Sequence, residues 1–113
     1  MTGPDRHLTD DALVETAAVL RVLGHPDRLR MLSLLMRRDM PVCELAETLG
    51  LAPNAVSQHL GLLEARGVVS RRRSGRYVHY RASHRIAKTL IRCMWRHLGE
   101  PESLPAAAAG RKR

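Results

Sequence analysis

Two neighbouring stretches in the middle of the chain, "PVCELAETLG" and "PNAVSQHLGLLEARG", leave little freedom for the fold. In the first, Val42, Leu45, Ala46 and Leu49 recur at i, i+3, i+4 and i+7, and Gly50 follows as a stop signal. The second opens on Pro53, which suits a first helical turn, and closes at Gly67. Only a few residues separate them. Two helices joined by so tight a turn form a helix-turn-helix, whose second member can lie in the major groove of DNA.

The flanks extend this pattern. Upstream, "LTDDALVETAAVLRVLG" places Leu13, Ala17, Leu20 and Leu23 at helical spacing, with Thr9 or Asp10 able to cap and Gly24 able to stop. "HPDRLRMLSLLMRRD" carries Leu29, Leu32, Leu35 and Met36 on a broad apolar arc behind Pro26. Downstream, "VVSRRRSGRYVHYR" switches to extended residues around Ser74-Gly75, which predicts a hairpin. "SHRIAKTLIRCMWRHLG" returns to helical period. Phe is absent, Trp occurs once and Tyr twice, so the core must come from Leu, Val, Met and Ala. The expected fold is mainly α with a small β-hairpin, a winged helix-turn-helix with an extra helix at each end. Residues 10–99 are expected to form this domain, 1–9 a flexible N-terminus and 100–113 a flexible basic tail.

Charge points to the partner. The chain has a net charge of +8, unevenly spread: residues 1–50 hold 6 Arg/Lys against 8 Asp/Glu, and residues 51–113 hold 13 against 3. The basic half should meet a polyanion, either nucleic acid or an anionic membrane surface. No stretch approaches the roughly 20 apolar residues that span a bilayer, and "MTGPDRHLTDD" lacks the apolar core of a signal peptide, so a cytoplasmic protein with free thiols at Cys43 and Cys93 is expected. No nucleophile, base and oxyanion donor stand at a recognisable spacing, which argues against an enzyme.

On the second helix of the pair, Val56, Leu60 and Leu63 fall on the core side, whereas Asn54, Ser57, Gln58, Gly61 and Ala65 face away. A polar or small face allows close approach to base edges, where Asn or Gln pairs with adenine and Ser with either kind of base. His59 falls at the edge of the apolar side, a packing or hydrogen-bonding position. In the hairpin, Arg71, Arg72, Arg73 and Arg76 surround the tip, while Val78 and Tyr80 share one face that can pack inward. Arginines there would supply affinity and salt dependence more than sequence choice.

Taken together, "LGHPDRLRMLSLL" and "VCELAETLGLAPNAVSQHLGLLEARGVVSRRRSGRYVHYR" resemble the ArsR/SmtB family of small winged-helix repressors over roughly residues 12–98. The resemblance implies a homodimer held by the first and last helices, binding an imperfect palindrome in double-stranded operator DNA and released by an inducer. It also implies that Pro53, Asn54, Ser57 and Gln58 read the groove and that Arg73 and Arg76 serve the wing. Ala52 departs from the Ser or Thr usual in the family, and the missing cap costs about 1 kcal/mol.

The family's inducer sites are present only in part. Its thiophilic-metal sensors carry two cysteines one residue apart in the first turn of the third helix, and here Pro41 replaces the first while Cys43 matches the second. Cys43 lies near a helix N-terminus, which favours a thiolate, and Glu44 beside it could add an oxygen ligand; alternatively Cys43 is a small apolar filler at the core edge. On the last helix Cys93, His97 and Glu100 stand at i, i+4 and i+7, one face if the helix runs that far. The family's interfacial site pairs Asp-x-His near the start of this helix with His-x-x-His or His-x-x-Glu near its end. His97 and Glu100 match the second half, but the first reads His84-Arg85-Ile86, a histidine ligand candidate where Asp is usual and an aliphatic where His is usual; either Cys93 fills the vacancy or these positions pack the dimer seam with Ile86 and Leu90. Thiolate, imidazole and carboxylate suit zinc, nickel or cobalt, whereas arsenite or antimony would need several thiolates. The same thiols could instead answer oxidants or persulfides, although Ser33 stands where the family's persulfide sensors have a cysteine. A winged-helix protein interaction module without an inducer is the reading from another class.

Overall fold

The computed structural model describes residues 7–100; residues 1–6 and 101–113, where most of the expected flexible termini fall, lie outside the described residues. The chain runs α1 (Asp10–Leu23), α2 (Pro26–Arg37), α3 (Val42–Leu49), α4 (Pro53–Ala65), β1 (Val69–Ser74), β2 (Tyr77–Ala82) and α5 (Arg85–Leu98).

Each boundary has a local cause. Thr9 caps α1 by accepting from the Ala12 N–H at 3.0 Å, and Asp10 and Asp11 in the first turn oppose the positive end of the helix dipole. His25 caps α2, its Nδ1 accepting from the Asp27 N–H at 3.1 Å. α3 stops at Gly50, whose φ of 70° lies in the left-handed region that a side chain resists. Ala52 offers α4 no side-chain cap, as expected, and Pro53 in the first turn sets its start instead.

The strands pair antiparallel, with Ser74 opposite Tyr77, so Gly75 and Arg76 form a two-residue loop. Gly75, at φ 66°, is the only residue of that loop with positive φ, the requirement of a II′ hairpin turn. A third strand, reduced to one residue, pairs Met40 with Tyr80: the Met40 N–H donates to the Tyr80 carbonyl at 3.1 Å, and the Tyr80 N–H to the Met40 carbonyl at 2.8 Å. Nothing in the sequence announces it, because one residue has no period. Ser83 closes the hairpin's base, its hydroxyl donating to the Gly67 carbonyl at 2.9 Å.

The core lies around α2, which packs against α1, α3, α4, α5 and β2. Met31 and Leu32 of α2, Leu45 of α3, Leu60 and Leu63 of α4 and Ile91 of α5 are fully buried. Val78 is half-buried and Tyr80 buried, so the hairpin does dock by the face expected of it. On α1 the spacing foretold the helix better than its buried side. Of the four residues that carried the period only Leu23 is buried; Leu13 and Leu20 are half-exposed and Ala17 is exposed, with Val19 buried in their place.

Candidate nucleic-acid interface and ligand positions

α4 turns Val56, Leu60 and Leu63 into the core, which leaves Pro53, Asn54, Ser57 and Gln58 together on its exposed side. His59 sits between the two faces, where its Nδ1 accepts from Arg28 Nε at 3.1 Å. That is the edge role expected of it. Arg28 also donates to the Val22 carbonyl at 3.1 Å, so one guanidinium ties α1, α2 and α4 at the rear of the exposed face.

The wing arginines divide into two pairs. Arg71 Nε meets Glu64 of α4 at 3.1 Å, and Arg72 meets Asp39 ahead of α3 at 3.4 Å. These two fasten the hairpin to the helix-turn-helix. Arg73 and Arg76, both exposed, have no ion pair among the described residues. Their charge is therefore not neutralised by any of the described residues.

The positions considered for an inducer do not come together in one protomer. Cys43 and Cys93 are both free and exposed, on different helices. Glu44, considered as an oxygen ligand beside Cys43, turns the other way: it is 4% exposed and its carboxylate takes Arg38. Successive helical residues diverge by about 100°, so the exposed thiol and the buried carboxylate cannot share a face. On α5 the expected run through Glu100 fails as well. The helix ends at Leu98, and Gly99 at φ 107° turns the chain away, so Glu100 does not continue the face of Cys93 and His97. His84 is engaged otherwise. Its Nδ1 caps α5, accepting from the Ile86 and Ala87 N–H groups at 3.2 and 3.4 Å, and its Nε2 faces Glu15 of α1 at 3.3 Å.

Cys93 and His97 do share one flank of α5 with Ile86 and Leu90, within about 60° by helical geometry. Ile86 is 44% exposed there. On α1, Leu13, Val14 and Leu20 are also exposed, at 50, 70 and 49%. The two end helices thus carry much of the exposed apolar surface among the described residues, with Leu62 of α4 and Tyr77 of β2 exposed elsewhere.

One group of ligand atoms does converge, and sequence reasoning missed it. His25, Asp27 and His59, all half-buried, each bring one donor atom within 4.8 Å of the others. The imidazoles meet edge-on, ring centroids 4.7 Å apart. Burial, and after it the neighbouring His25 and Arg28, lower the His59 pKa below its ordinary 6.5, partly offset by Asp27. His25 and Asp27 flank Pro26 and His59 lies more than thirty residues on; only the packing of α2's first turn beside α4 joins them.

Comparison with known proteins agrees with the fold. Residues 25–71 match the family described as "Bacterial regulatory protein, arsR family". The transcriptional repressor SmtB homolog of Synechocystis is 34% identical over 92 residues, which cover 81% of this chain and 70% of that protein. The HTH-type transcriptional regulator NmtR of Mycobacterium tuberculosis is 32% identical over 109 residues, 92% of this chain and 91% of that one. Among solved structures, NolR from Sinorhizobium fredii superposes with a TM-score of 0.72 at 29% identity, covering 89% of this chain and 98% of its own. These relatives are regulators of transcription, not enzymes. No described helix is long and apolar enough to cross a membrane. The chain belongs to the ArsR/SmtB family of winged-helix, DNA-binding transcriptional regulators.

Proposed function

We propose that the chain is a cytoplasmic homodimeric repressor that binds an imperfect palindrome in operator DNA and is released from it by a metal or metalloid ion. The observation that carries this reading is the exposed face of α4 with Asn54, Ser57 and Gln58, beside a wing whose Arg73 and Arg76 have no ion pair among the described residues. Pro53, Asn54, Ser57 and Gln58 approach base edges in the major groove, and Arg73 and Arg76 hold phosphates. A second copy covers the apolar flanks of α1 and α5, and two-fold symmetry in the protein then matches two half-sites in the DNA.

The inducer acts by favouring a form of the dimer poorly matched to those half-sites. The family's two motifs are incomplete, with Pro41 in place of one cysteine and His84-Arg85-Ile86 in place of Asp-x-His, and within one protomer Glu44 is withdrawn from Cys43 and Glu100 from His97. The exposure of both thiols favours a second reading, in which oxidants or persulfides act on Cys43 and Cys93.

Anisotropy titration of labelled promoter DNA against the purified chain tests the reading. Affinity should fall steeply with added salt, Gln58→Ala should erase sequence preference, and a divalent metal should release the DNA where peroxide or persulfide does not. Salt-insensitive binding would sink the repressor reading, and release by peroxide or persulfide alone would replace the metal with a thiol switch.

A further inference from the structure

We propose that His25, Asp27 and His59 form a divalent-cation site that competes with Arg28 for His59, so that metal uptake moves the seat of α4 from Arg28 to the first turn of α2. The inference deepens the metal-responsive reading above and rests on it only for its effect on DNA.

Three donor atoms within 4.8 Å of one another need to contract by at most roughly 1.4 Å across the widest pair to meet tetrahedral separations around zinc. Two imidazoles and a carboxylate suit zinc, cobalt or nickel better than hard or strictly thiophilic ions. The three residues are half-buried, which leaves water free to complete the shell.

Hydrogen bonding makes this site a switch. A backbone N–H and a guanidinium N–H can only donate, so the bonds from Asp27 N and Arg28 Nε fix Nδ1 of both histidines as acceptors. In the neutral rings the proton then sits on Nε2, and neither ring has a spare lone pair. A metal taken by Nδ1 displaces the donor outright. A metal taken by Nε2 moves the ring proton to Nδ1, which then donates and can no longer accept from Arg28. By either route His59 lets go of Arg28, with no proton gained or lost by the ring.

Each neighbouring charge has a place in this exchange. Arg30 holds one oxygen of Asp27 and leaves the second available. Arg28 keeps the Val22 carbonyl, so it stays with α1 and α2 when His59 lets go of it. The metal state therefore breaks the tie that runs from α4 through Arg28 to α1, and pins His59 instead to His25 and Asp27 at the start of α2. In the metal-free state Arg28 holds α4.

Cobalt titration of the purified full-length chain, followed by visible absorption, tests the site. Cobalt held by imidazole and carboxylate should give d–d bands without the thiolate-to-metal charge-transfer band that a cysteine site would add. His25→Asn retains a capping acceptor for α2 and should weaken cobalt binding at least about tenfold, as should His59→Gln. Arg28→Gln removes the competitor and should tighten binding several-fold. Unchanged affinity in both histidine variants, a thiolate band, or weaker binding in Arg28→Gln would each overturn the proposal. Should His59→Gln unfold, as thermal unfolding would reveal, His25→Asn and Arg28→Gln decide. On operator DNA, zinc should release the wild-type chain and spare His25→Asn. Equal release of both would leave the repressor standing and remove this site. If no promoter DNA is bound, the repressor reading falls while the cobalt titration still judges the site.

Discussion

α4 and α5 bury one flank each in the same core, yet they expose opposite kinds of surface. α4 presents Asn54, Ser57, Gln58 and Gly61, polar or small groups that let a helix lie close to another molecule's edges, with Leu62 exposed only beyond them toward its end. α5 presents Ile86 and the half-buried Leu90 beside Cys93 and His97, an apolar strip with two ligand-type side chains set into it. The first surface suits a hydrated polyanion and the second another protein face. One amphipathic rule builds both helices, so the partner is written in the residues that the core does not need.

The shared half of that comparison is the part expected to resist least when it is cut. Leu60→Ala in α4 and Ile91→Ala in α5 each remove a fully buried side chain and should cost about 2–5 kcal/mol in urea unfolding. A loss well under about 1 kcal/mol at either position would mean that the two helices do not share a packed core. The exposed flanks should behave differently. Ile86→Asp places a carboxylate in the proposed dimer seam and should weaken self-association by about 2–3 kcal/mol, read by sedimentation against protein concentration. Gln58→Ala should cost about 1–3 kcal/mol on the operator and nothing on unrelated DNA. If the two DNAs lose affinity equally, α4 is not reading bases through this residue.

A smaller effect separates the arginines of the wing. Arg73→Ala should reduce the slope of log affinity against log salt by about 1, since it removes one phosphate contact. Arg71→Ala breaks an exposed pair with Glu64 worth roughly 0–1 kcal/mol and should change protomer stability slightly. Identical slopes for the two variants would dissolve the division between fastening and DNA-facing arginines.

How much of this was legible in advance depends on the range of the interaction concerned. Helices, turns and the hairpin follow from local period and from Gly, Pro and capping residues, and all were readable. The docking of the wing through Val78 and Tyr80 was readable too, because alternation along a strand fixes a face. The ligand positions were not. Spacing placed Glu100 in line with His97 only on the assumption that the helix continued, and Gly99 ends it. The resemblance likewise put His84 where the family has a ligand, whereas the unsatisfied N–H groups at the start of α5 claim its Nδ1. Met40 paired with Tyr80, and His25 beside His59, depend on where whole elements pack, about which period is silent.

The smallest effect bears on the seam behind α4, where His25, Arg28 and His59 meet. In metal-free protein His59 is held below its ordinary pKa of 6.5, first by burial and then by the positive neighbours. A histidine with a lowered folded pKa takes up its proton more readily unfolded than folded, so acid favours the unfolded state. Its contribution is present above 6.5 and is lost as pH falls from there through the lower folded value. Protonation also turns Nδ1 into a donor that Arg28 cannot address. With chelator present, the urea midpoint should therefore fall between ~pH 7.5 and ~pH 5.5, and His59→Gln should flatten that fall. An equal fall in both proteins would assign the acid sensitivity to other groups and leave α4 as firmly seated at low pH as α5.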